Sequence, residues 1–197
     1  MKKARRIILY VVMAVMVGWS ILTLLVEKRG AKKSWDFKGT TSNEKVLIIY
    51  DPDPFYNLDE QVCLSIAQAL TDEGLNVKVA TVSAAKAIDS KSYNAFVFCA
   101  NTYNWTPDWA VSNYITKQNN LNYKPVLALT LGAGSTGNSQ KKLEQLITTH
   151  NGKLINSHSI WLMRPNDEQR MGEPNVQVAL SRAKAWSNCI VQELRHP

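Results

Sequence analysis

Three short stretches hold the residue types that bind a ligand. "GAGSTGNS" (132–139) packs three glycines, two serines, a threonine and an asparagine into eight positions ahead of a helix-like "QKKLEQLI". Glycine lets backbone approach a ligand closely, and a helix start offers free N–H groups to an anion. "NTYNW" (101–105) sets Tyr103 and Trp105 among amide side chains, a composition able to stack on a flat ring and bond its polar edge. "DPDPFYN" (51–57) is different. Pro52 and Pro54 lack N–H groups, and Asp51 and Asp53 put negative charge at the turn. One like-charge contact at ~4 Å and a surface-like dielectric costs about 4 kcal/mol, so this stretch repels an anion. Asp51 and Asp53 read either as a carboxylate pair or cation site, or as a proline-rich turn with solvated acids.

Other chemistries lack their residues. His150, His158 and His196 are scattered without metal-ligand spacing. No G-x-S-x-G elbow or Cys–His arrangement occurs. "GAGSTG" has no acidic ribose partner at the distance a dinucleotide fingerprint requires. Cys63, Cys99 and Cys189 each sit in an apolar pattern and read as core packing, with no disulfide framework. "WLMRPNDEQRMGEPN" (161–175) is a long polar link. Its Arg164 and Arg170 meet an anionic ligand only if the link folds over the strand ends.

The elements that position these stretches follow from periodicity. "KVLIIY" (45–50) is a short apolar, β-branched run, as a strand buried on both faces should be; "NVKVATV" (76–82) alternates more clearly, as at a sheet edge; "AFVFCA" (95–100), "PVLALTLG" (125–132) and "KLINSHSIW" (153–161) follow as third, fourth and fifth strands. Between them lie helical patterns. One starts at Asn57, with Glu60 three residues on as a capping-box partner, and stops at Gly74. Others cover about 107–118, the segment around Leu143, Leu146 and Ile147, and about 175–194; "AAKAIDSKSY" is a weak helix or loop. Strands alternating with helices give a parallel sheet covered on both faces. Ligands in such sheets sit at the carboxyl ends of the strands, which is where all three stretches fall.

The 197 residues carry a net charge of +7, but residues 1–33 hold all of it. The remainder is balanced, which excludes a nucleic-acid footprint on the folded domain. "IILYVVMAVMVGWSILTLLV" (7–26) is uncharged, long enough as a helix to cross ~30 Å of hydrocarbon, and flanked by basic residues. Its length and the absence of a small-residue cleavage site favour a retained single-pass anchor over a signal peptide. Residues 1–33 thus read as membrane anchor, 34–44 as a polar tether and 45–197 as the domain. The basic flanks nearly balance. Lys38 and Lys45 tip the domain towards the cytoplasm, whereas the compact "MKKARR" argues the reverse.

"AFVFCANTYNWTPDW" resembles the third strand and "PTYNGxPP"-type loop of flavodoxin-like domains, and "KPVLALTLGAGSTG" resembles their fourth strand and glycine-containing loop. The resemblance spans about residues 45–194. It implies a doubly wound, five-stranded parallel α/β sheet of order 2-1-3-4-5. It also implies FMN as cofactor and a role in electron transfer or flavin-dependent reduction with a redox partner. By position it implies ligand contacts from Asp53 and Asn57 in the first loop, Asn101, Thr102, Tyr103, Asn104 and Trp105 in the second, and Gly132, Ala133, Gly134 and Ser135 in the third. The first loop departs from the family's S/T-x-T-G-N-T phosphate cradle. Three accounts stay open: FMN with altered phosphate contacts, another flat ligand, or a cofactor-free module that organises a membrane complex.

Overall fold

The computed structural model describes residues 2–40, 43–118 and 120–196. Helix α1 (Lys2–Val26) leads into strand β1 (Ser34–Phe37) and then β2 (Lys45–Tyr50). There follow α2 (Leu58–Asp72), β3 (Asn76–Thr81), the single turn α3 (Val82–Ala85), β4 (Ala95–Tyr103), β5 (Thr106–Pro107) and α4 (Trp109–Gln118). The chain closes with β6 (Pro125–Gly132), α5 (Gly137–Thr149), β7 (Lys153–Trp161) and α6 (Asn175–Arg195).

The five expected strands lie in the order β3-β2-β4-β6-β7, all parallel. The sheet is nevertheless mixed and seven-stranded, which corrects the expectation of five parallel strands. Within the segment expected to be a tether, Ser34–Phe37 pairs antiparallel to β3, with Ser34 opposite Ala80 and Phe37 opposite Val77. The reason is physical. The free edge of β3 would otherwise expose a row of backbone donors and acceptors, and Trp35 and Phe37 bury their rings against the core by joining it. Thr41 and Ser42 of that segment lie outside the described residues. The second addition is β5, which folds back on the end of β4 as a two-residue hairpin arm.

Period-two alternation divides each central strand between two cores. Val46, Ile48 and Tyr50 of β2, with Val97 and Cys99 of β4 and Leu127 and Leu129 of β6, face α2 and α6. Leu47 and Ile49, Phe96 and Phe98, and Val126 and Ala128 face α3, α4 and α5. Almost every one of these side chains is fully buried, and each large one contributes about 1.5–3 kcal/mol by leaving water. Cys63 and Cys99 are buried free thiols in the first core.

The strand order reverses between β2 and β4, so the loops leaving those two strands flank the crevice. Helix α1 is long and apolar enough to cross a membrane, and its membrane-length segment is unburied.

Candidate ligand-binding site

The loop after β2 is tied down by its own carboxylates. Asp53 Oδ1 accepts the N–H groups of Phe55 (2.7 Å) and Tyr56 (3.2 Å). Asp59 Oδ2 accepts from the Asp53 N–H at 2.7 Å, and Asp59 Oδ1 from the Glu60 N–H at 2.7 Å. Both oxygens of Asp51 accept from the Gly30 N–H at 3.2 Å. The N–H groups of Asp53, Phe55, Tyr56 and Glu60 are therefore already bonded to carboxylates of this loop and helix start. Asp51, Asp53 and Asp59 are all buried. Burial, reinforced by neighbouring carboxylates, pushes Asp51 up to about 6 and raises Asp59.

The expected capping box at Asn57 does not form. Asn57 makes no capping bond; its Oδ1 accepts from Gln61 Nε2 at 2.7 Å. Glu60 instead accepts from the Tyr50 hydroxyl at 2.8 Å and from Lys33 Nζ at 2.9 Å. A buried tyrosine and a lysine outcompete the solvent-facing Asn57, so Asp59 takes over the first turn.

The second loop is built on Asn101. This residue is 2 % exposed, and its Nδ2 donates to the Asp51 carbonyl and to Asp59 Oδ2, both at 2.9 Å. It braces the first loop and faces away from open space. Asp108 accepts from the N–H groups of Asn101 (2.9 Å) and Val111 (2.8 Å), so it caps α4, which begins at Trp109 and not at Pro107. Burial raises the Asp108 carboxyl well above the usual carboxylate range. Between them runs a tight hairpin: Tyr103 pairs with Thr106, and Asn104 and Trp105 both take positive φ, 48° and 58°. Two positive φ values are what a two-residue hairpin turn demands. For tryptophan the left-handed region costs about 1–2 kcal/mol, yet the Trp105 side chain is 57 % exposed.

Seven of the eleven sequence-predicted residues line one cavity of about 310 Å³: Thr102, Tyr103, Asn104, Trp105, Ala133, Gly134 and Ser135. Asp53 and Asn57 line another depression, of about 360 Å³, on the first loop. Asn101 and Gly132 line neither; a Cβ on Gly132 would meet Thr136 Cγ2 at 2.9 Å and Thr102 Cβ at 3.1 Å, so that glycine lets two loops close together. Phe55 completes the domain's part of the cavity, and Trp19, Leu22, Thr23 and Val26 of α1 form the remaining wall. Two hydrogen bonds, one to α1 and one to the residue after it, fix the helix there. Asn104 Nδ2 donates to Thr23 Oγ1 at 3.0 Å, and the Trp109 N–H donates to Glu27 Oε2 at 2.7 Å. No sequence signal links α1 to the loops, because these contacts join residues about eighty positions apart.

A second cavity of about 410 Å³ adjoins the first and shares Gly134 and Ser135 with it. It lies at the start of α5, whose N-cap Thr136 makes no side-chain capping bond; Thr136 Oγ1 accepts from Trp161 Nε1 instead. The long link does fold over the strand ends here. Arg164 lies on Gly134, where a Cβ would meet its side chain at 3.0–3.1 Å. Arg170 faces solvent and pairs with Glu173. Across the cavity, His158 stacks on Trp186 (centroids 4.0 Å apart), and Arg182 covers the same ring at 5.2 Å while pairing with Asp167. Ser157 Oγ, His158 Nε2 and Arg182 Nε are buried and unpartnered among the described residues. Burial, with Arg182 nearby, lowers the His158 pKa.

The backbone is similar to several solved structures. Rubredoxin oxygen:oxidoreductase from Desulfovibrio gigas is 18% identical, with a TM-score of 0.60 over 81% of this chain and 37% of that one. Flavodoxin 2 from Bacillus cereus is 14% identical, with a TM-score of 0.58 over 76% of this chain and 99% of that one. A flavo di-iron protein from Thermotoga maritima is 17% identical, with a TM-score of 0.57 over 80% and 37%. The chain thus spans just over a third of the first and third proteins and nearly all of the flavodoxin. No protein-family model matches the sequence, and no curated protein matches it. At these identities the likeness establishes the fold: α/β and flavodoxin-like.

Proposed function

We propose that this chain is a membrane-tethered flavodoxin-like domain that binds FMN by its ring in the cavity between the β4–β5 hairpin, the loop after β6 and α1, and that it serves in electron transfer. The observation that carries this reading is the cavity itself. It brings Tyr103, Trp105 and Phe55 together with the backbone of Ala133–Ser135, an aromatic wall facing polar main chain. The structural neighbours named flavodoxin support the same reading. FMN supplies the redox chemistry when bound; the chain orients the ring, contacts its polar edge and excludes water from one side.

The phosphate end does not fit the first loop. Four of its N–H groups are bonded to Asp53 and Asp59, two of its positions are prolines, and three buried carboxylates stand there. The adjoining cavity has the opposite character. Ser135, Thr136 and Gly137 at the uncapped start of α5, with Arg164 and Arg182, are the residues that would hold a phosphate there. A second reading, a cofactor-free module that organises a membrane complex, is favoured by the internally satisfied first loop.

The test uses the full chain in nanodiscs, titrated with FMN and with riboflavin while flavin absorbance and fluorescence are followed. Both should bind, FMN more tightly. Trp105→Ala should weaken both by about tenfold, the loss of one aromatic stack of about 1.4 kcal/mol. Arg164→Ala should erase the preference for FMN. No spectral change with either flavin at excess sinks the reading and leaves the cofactor-free module. Loss of the FMN preference on changing Asp53 but not Arg164 would return the phosphate to the first loop.

A further inference from the structure

The exposed large apolar side chains of the folded domain are not scattered. Among the described residues outside α1 they are Phe55, Trp105, Trp109, Tyr123, Met163 and Met171. Five of these six lie at the carboxyl end of the sheet. Phe55 follows β2, Trp105 and Trp109 follow β4, and Met163 and Met171 follow β7; Tyr123 alone lies at the opposite end, before β6. Met163 and Met171 are 79 % and 72 % exposed, and Trp105 is held out by a backbone conformation that tryptophan seldom takes. Exposed apolar groups gathered on one face mark an interaction surface.

The end of α1 touches this same face. Arg5 and Arg6 precede the apolar run and Lys28 and Arg29 follow it, so the run ends at Val26. At 1.5 Å per residue its twenty residues match a hydrocarbon core of ~30 Å. Asn104 nevertheless bonds to Thr23, and the cavity wall reaches back to Leu22 and Trp19. Loops that meet α1 at those positions lie about 5–10 Å inside the point where the helix leaves the hydrocarbon. That is the depth at which interfacial apolar side chains sit, and tryptophan is the residue that favours it. Lys28, Arg29 and Lys32 are exposed beside the same face, where anionic headgroups would meet them.

From this placement we infer that the carboxyl-end face of the sheet is itself a lipid-contacting surface. Phe55, Trp105 and Met163 insert into the bilayer interface next to α1, and the cavity that Phe55 and Trp105 border opens there and not to bulk water. This inference rests on the reading of α1 as a membrane span.

The test uses full-length chain carrying Cys189→Ser, which leaves only the buried Cys63 and Cys99. Spin labels go, one at a time, on Phe55→Cys, Trp105→Cys, Met163→Cys, Tyr123→Cys and Val15→Cys. Each variant is placed in nanodiscs of phosphatidylcholine with a minority of phosphatidylglycerol. Collisions with oxygen, which concentrates in lipid, are compared with collisions with a water-soluble nickel chelate. Val15, Phe55, Trp105 and Met163 should shift towards oxygen and Tyr123 towards nickel. If Val15 reports lipid while the three loop positions match Tyr123, this inference is overturned and the membrane span stands. If Val15 itself reports water, the span fails and the inference falls with it.

Discussion

The hydroxyl of Tyr103 donates to Asp53 Oδ2 across 2.5 Å, clamping the hairpin after β4 to the loop after β2. Asp53 thus collects two backbone N–H groups and one phenol, and the two sides of the crevice become one unit. Burial and the Asp53 carboxylate raise the Tyr103 pKa, so the phenol stays a donor throughout the physiological range. The same bond turns the Tyr103 side chain towards the first loop and leaves Trp105 as the freer aromatic face at the cavity.

Tyr103→Phe should cost about 1–2 kcal/mol in urea denaturation, the contribution of a hydrogen bond to a charged acceptor less partial rehydration. Asp53→Ala should cost more, about 3 kcal/mol, because it orphans the Phe55 and Tyr56 N–H groups as well. A double-mutant cycle should return a coupling of about 1 kcal/mol or more. Additive losses would show that the clamp contributes nothing to stability.

The acidic crevice should make the fold less stable as pH rises. Burial pushes Asp51 up to about 6 in the folded chain from its ordinary 3.8. A group whose folded pKa is raised contributes stability that is full below about pH 4 and lost as pH climbs through about 6. Asp59 and Asp108, also raised by burial, act in the same direction. Glu60 is lowered by Lys33 and Tyr50 against a desolvation that opposes them; its contribution runs the other way and fades only in acid. Melting temperature followed from pH 4 to pH 8 should therefore fall, and Asp51→Asn should flatten the slope. A variant with an unchanged slope would show that Asp51 is not the group responsible.

Trp35→Ala should loosen the added edge strand. The indole is half-buried against the α2/α6 core, so its loss should cost about 2 kcal/mol, roughly half the value for a fully buried ring. Faster amide exchange along Asn76–Thr81 should accompany it, because β1 covers that edge. Unaltered exchange there would mean that the pairing holds without the tryptophan.

Much of this architecture is local in origin. The apolar runs at 45–50, 95–100 and 125–132 became buried strands, because a strand covered on both faces shows as an unbroken apolar run, whereas the mixed run at 153–161 became a half-buried one. The twenty-residue uncharged run of α1 is equally a property of the chain alone. So is the clustering of ligand-type residues at 101–105 and 132–139, since the βα connectivity sends both stretches to the same end of the sheet. Tertiary structure decided the rest. Asp59 reads in the sequence as an ordinary acid at a helix start, yet Asn101, 42 residues away, holds it in the interior. Residues 34–37 alternate polar and aromatic over only four positions, too short a run to read as a strand at the head of a polar segment, and only the open edge of β3 makes them one. Most of all, the wall that α1 contributes to the cavity depends on Thr23 meeting Asn104, 81 residues on. Periodicity reports what a residue does for its own element; burial of a charge, cover for an edge and closure of a cavity depend on which distant element arrives beside it.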